Sequence, residues 1–176
     1  MRRVVLALVC AGLLAAAYVP AAVSLTAVPV SGAMVGVEDL DDGVEKVTGA
    51  PTLGTPVGDI PFTVLSKRDM GLRMEVDGSA YLAGFHTNWF GYQLNVRTWH
   101  GAGHGTARID PTAYPGGWFD CAINYVYAGG FPPSWNGLQV CHGRGTLDGV
   151  QLRLEVAHDS LTFATSFAGH AFVPGE

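Results

Sequence analysis

Residues 119–127 read Phe-Asp-Cys-Ala-Ile-Asn-Tyr-Val-Tyr, and the fold is decided by how this stretch is read. Phe119, Cys121, Ile123, Tyr125 and Tyr127 fall on one face, with Asp120 and Asn124 on the other. A period of two is the mark of a half-buried strand, one face on a core and one in water.

The same alternation recurs on both sides of it. Leu72, Met74 and Val76 alternate with Arg73, Glu75 and Asp77, and Tyr92, Leu94 and Val96 alternate with Gln93, Asn95 and Arg97. Val150, Leu152, Leu154 and Val156 alternate with Gln151, Arg153 and Glu155, and Leu161, Phe163 and Phe167 close the series. Turn chemistry separates these runs at Asp77-Gly78, Pro115-Gly116-Gly117, Gly129-Gly130, Pro132-Pro133 and Asp148-Gly149, and Gly101 to Gly105 reads as a further loop. No helical period is found after residue 60. The pattern predicts an all-β fold over residues 61–176, an antiparallel β-sandwich or small barrel of about eight or nine short strands.

Upstream the composition changes. Arg2 and Arg3 precede the uninterrupted apolar run Val4 to Val19, and Pro20, Ala21, Ala22 and Ala27 follow it. Residues 1–30 therefore read as a hydrophobic helix that serves either as a cleaved signal peptide or as a membrane anchor. Pro20 and the alanines favour cleavage. In either case the remainder is expected outside the cytoplasm, because the two arginines hold the start of the chain inside. Residues 31–60 contain no aromatic residue and carry Glu38, Asp39, Asp41 and Asp42, which predicts a flexible acidic linker.

The formal charge is −5, and no cluster of Lys or Arg occurs beyond the N-terminus, so nucleic acid is not an expected partner. Beyond Cys10, which lies in the apolar run, the chain has two cysteines. An even pair in an exported domain predicts a Cys121–Cys141 disulfide.

Three chemistries compete for function. His100 and His104 flank Gly101-Ala102-Gly103, and with His142 they form a candidate zinc or copper site. Trp89 and Trp99 with Asn95 and Arg97 form a candidate surface for a carbohydrate or an envelope protein, because exposed rings beside amides and guanidinium stack on sugars or anchor partners. A hydrolase would need paired carboxylates, and Asp110 and Asp120 can be imagined as such a pair, but nothing in the sequence brings them together and Asp110 before Pro111 reads as a turn residue. No nucleophile elbow, zinc-protease helix or phosphate loop is present to assign catalysis. The expected function is that of a non-enzymatic, exported binding or envelope domain without a cofactor. A metal-binding protein and, more weakly, a secreted hydrolase are the alternatives.

Overall fold

The computed structural model describes residues 24–48, 53–55, 58–60 and 64–175. The apolar run that reads as a signal or anchor lies outside the described residues. Eleven strands follow in order: β1 (Leu25–Asp41), β2 (Val44–Thr48), β3 (Leu53–Thr55), β4 (Gly58–Ile60), β5 (Val64–Gly78), β6 (Gly84–Asn95), β7 (His100–Pro111), β8 (Gly117–Ala128), β9 (Trp135–Gly145), β10 (Gln151–Asp159) and β11 (Ala164–Pro174). No helix occurs among the described residues.

The strands close into a barrel rather than a sandwich. From β5 to β11 each strand pairs antiparallel with the next, and β1 joins the two edges. Its first half, Leu25 to Ala33, pairs with β11, and its second half, from Gly32 to Asp41, pairs with β5. β2 continues along β5 as the ninth strand of the sheet, and β3 and β4 form a separate hairpin. Following paired residues round the wall from Ala27 through Asp120 returns to β1 at Glu38, eleven positions further on. One of these positions is the bulge between Met34 and Gly36, which leaves a stagger of ten. Eight strands with such a stagger tilt by about 35–45° and leave room inside for side chains or one small ligand.

Side chains fill that interior. Phe119, Ile109, Leu82, Leu147 and Leu152 are fully or almost fully buried at the base, where the β5–β6, β7–β8 and β9–β10 turns lie and both termini of the barrel meet. Tyr81 stacks on Tyr114 across that end with ring centres 4.9 Å apart. Toward the rim, which carries the other three turns, Tyr92, Tyr125, Tyr127 and Trp135 pack against one another at 5.1–5.6 Å. The Tyr125 hydroxyl donates to the Gly91 carbonyl at 3.0 Å, and burial pushes its phenol well above the ordinary range.

Three expectations are corrected here. Ser31 to Asp41 is strand and not linker, because Val30, Gly32 and Met34 face inward in register with β11 and β5. The same strand begins at Leu25, so the expected N-terminal segment of residues 1–30 overlaps the barrel by six residues. The Gly101 to Gly105 segment is the first half of β7. Its glycines take the inward positions, where Gly103 makes room for Tyr125: a Cβ there would collide with the phenol ring.

Candidate functional site

The outer wall distinguishes this barrel from one built for lipid. A membrane barrel presents an apolar band outward and polar groups inward. Here Arg73, Glu75, Arg108, Asp120, Arg144, Arg153 and Glu155 point outward from the strands, and Phe119, Ile123, Leu154 and Val156 point inward.

Across this outer wall runs a broad, open groove, from β2 and β5 over β6 to β11. Its floor is low because small residues face outward: Ala102 on β7, Ala157 on β10 and Ala168 on β11. Polar side chains stand along it at neighbouring register positions. His104 lies directly opposite Asn124 in the β7–β8 pairing, and Gln93 lies opposite Ala102 on the next strand. Further along, the exposed Leu138 of β9 lies between Asn124 and Glu155 of β10 in this register, and Asn136 lies between Val126 and Ala157, so apolar side chains alternate with the polar ones. None of Gln93, His104, Asn124, Asn136 or Glu155 is hydrogen-bonded through its side chain to another described residue, so their donors and acceptors face the groove unengaged.

Trp89 forms one wall. It sits on β6 opposite Gly71 of β5, and a Cβ on Gly71 would lie 2.6 Å from the indole Cζ3 and 2.9 Å from Cη2. The six-membered ring therefore rests on the glycine backbone. At 45 % exposure it offers surface to solvent beside that contact. Beyond it a bulge places Arg68 and Asp69 opposite the single residue Gly91, with Asp69 at a φ of 60°. Lys46, Lys67 and Arg68 line this end, and the first two are the only lysines of the chain.

Cys121 and Cys141 face each other in the β8–β9 register with Cα atoms 4.0 Å apart and sulfurs at disulfide distance. Both are buried inside the barrel, where the pair clamps two adjacent strands.

His100 and His104 share the outer face of β7, but four residues of extended strand separate their Cα atoms by about 13 Å. A glycine loop could fold two imidazoles together; a strand holds them apart. His142 lies opposite Asp120, two strands away and four residues closer to the base than His104. Among the described residues no group of three or more His, Cys, Asp or Glu side chains is placed to hold a metal ion.

The expected aromatic surface divides. Trp89 belongs to the groove, whereas Trp99, Asn95 and Arg97 belong to the β6–β7 turn at the rim. Asn95 has a local role there, since its Oδ1 accepts from the Arg97 and Thr98 amides at 2.9 and 3.2 Å. Trp99 packs on Phe131 at 4.7 Å.

Asp110 and Asp120 are taken up by arginines on the exterior. Arg108 holds Asp110 at 2.8 Å, and Arg144 holds Asp120 at 3.1 Å, with the Trp118 indole donating to Asp120 at 3.2 Å. Neither carboxylate lines the groove.

One histidine, weighed in the sequence only as an alternative third ligand to His142, has a different place. His86 is fully buried inside the barrel. Its Nε2 lies 2.8 Å from the Leu82 carbonyl, an acceptor, so that nitrogen carries the proton. Nδ1 is left as a buried lone pair without a partner among the described residues, and the ring lies 5.0 Å from that of Phe167. Burial pushes its pKa down to about 4 from the ordinary 6.5, against weaker opposing effects of the Leu82 hydrogen bond and the Asp110 charge. The signal was available: extending the Tyr92 and Leu94 phase backward puts Phe90, Asn88 and His86 inside and Trp89 outside.

Comparison with known protein families, curated proteins and solved structures finds no match, so the geometry of the groove alone carries the functional reading.

Proposed function

We propose that this chain is an exported, non-enzymatic binding domain that holds a carbohydrate chain in its outer groove. The observation that carries the reading is Trp89, pinned over Gly71 at the edge of a strip of unengaged amide, imidazole and carboxylate groups. A sugar ring has apolar C–H faces and a girdle of hydroxyls that both donate and accept. A flat indole matches the first, and Gln93, His104, Asn124, Asn136 and Glu155 match the second. An open groove crossing several strands suits a polymer better than a single small molecule, which would favour an enclosed cavity. Arg2-Arg3 and the apolar run to Val19 support export, which would bring the groove to envelope polysaccharides.

Affinity electrophoresis through gels containing envelope polysaccharides tests this. Retardation of the wild type should be abolished by Trp89→Ala and weakened by Gly71→Ala, which lifts the indole without removing it. Equal mobility in every polysaccharide, or retardation that survives Trp89→Ala, would refute the carbohydrate reading.

A further inference from the structure

The rim presents a second surface, remote from the groove's Trp89. Phe131 in the β8–β9 turn is 75 % exposed, and Leu161 and Phe163 in the β10–β11 turn are 74 % and 75 % exposed. Trp99 of the β6–β7 turn leans on Phe131. Hydrogen bonds join two of these turns: the Ser160 hydroxyl donates to the Pro133 carbonyl at 2.9 Å, and the Ser160 amide to the Ser134 hydroxyl at 3.3 Å. The apolar tips are thus held side by side on one end of the barrel.

Their backbone is also costly. Trp99 and Phe163 have φ of 59° and 53°, the left-handed region that bulky side chains avoid. Such strain persists where the surroundings impose it, and it concentrates at functional positions. Phe163 gains little burial in return among the described residues.

We infer that this rim inserts into a lipid surface. Three apolar tips on two turns project outward as a convex set, which a deformable hydrocarbon layer accepts without needing matching pockets. Trp99 at their edge has the chemistry favoured at the headgroup level. The charges agree. Arg97 is exposed in the same turn as Trp99 and free to meet anionic headgroups. The Asp159 carboxylate instead turns back to accept from the Leu161 amide at 2.9 Å and the Thr162 hydroxyl at 3.0 Å. The rim lies opposite the end where Leu25 pairs with Pro174, so it contacts lipid independently of the apolar N-terminal segment.

The test uses the full chain with vesicles of phosphatidylcholine and phosphatidylglycerol whose acyl chains carry bromine, a short-range quencher of indole emission. Wild-type emission should be quenched, and Trp99→Phe should remove most of that quenching. Phe131→Ser combined with Leu161→Ser and Phe163→Ser should weaken vesicle affinity about a thousandfold, since each buried large apolar side chain is worth about tenfold. The single variant Phe131→Ser, checked for intact fold by circular dichroism, should show a smaller loss in the same direction. Absence of quenching in the wild type would overturn the inference. So would quenching that is lost in Trp118→Phe rather than in Trp99→Phe, which would place the base next to lipid and identify the N-terminal segment as the contact.

Discussion

His86 makes the barrel acid-sensitive, by an amount that follows from its burial. In the unfolded chain an imidazole takes up its proton near pH 6.5; in the folded barrel it resists until about pH 4. The stabilising difference is fully present above pH 6.5 and is lost as the pH falls through this window. At about 1.4 kcal/mol per pH unit the whole gap is worth about 3 kcal/mol, of which about 2.4 kcal/mol disappears between pH 7 and pH 4.5. Against a total stability of about 5–15 kcal/mol this is a large share.

Urea unfolding followed by tryptophan emission at the two pH values measures it, with His86→Gln as the reference. Glutamine can still donate to the Leu82 carbonyl but does not titrate. Carboxylates, and His158 beside Trp135, whose pKa burial also lowers, contribute equally to both proteins. The wild type should lose about 2.4 kcal/mol more than the variant on acidification, a relative midpoint shift of about 1 M urea. Parallel losses in the two proteins would refute the reasoning, because the buried imidazole would then not be the group that titrates.

Two further outcomes are expected. Non-reducing peptide mapping should give one cross-linked Cys121–Cys141 peptide, and replacing both cysteines by alanine should cost about 3 kcal/mol, the chain-entropy value for a loop of this length. If the chain is exported as we propose and its N-terminal segment is cleaved, sequencing of the mature protein should place its first residue no later than Leu25, because later cleavage would remove residues of β1 that pair with β11.

Strand content was legible in the sequence wherever large apolar residues alternate with charged ones, as in Phe119 to Tyr127 and Val150 to Val156. It failed where the inward positions carry little side chain. Gly101, Gly103 and Gly105 give no hydropathy signal, yet they are the core face of β7, filled from across the wall by rings such as Tyr125. β1 was hidden differently. Its second half pairs with β5 alone and carries Glu38, Asp39 and Asp41 as exposed residues, which reads as linker composition. Closure itself depends on a register between the first and last strands, and local periodicity cannot encode a pairing between Leu25 and Pro174. For the site, Trp89 was legible as an exposed ring. Its groove was not, because His104 and Asn124 become neighbours only through cross-strand register.

The double allegiance of β1 also sets when this chain can fold. Its contacts with β11 join residues separated by nearly the whole described sequence, a long-range pairing that raises contact order and slows folding. During synthesis the wall stays open until Ala164 to Pro174 have been made, so every earlier strand emerges from the ribosome before the core can be finished. A protein that must be threaded through a narrow channel benefits from such a delay. On this account a circular permutant that begins with β11 should refold no faster than the natural order, because its β10–β11 pairing then becomes the first-to-last closure.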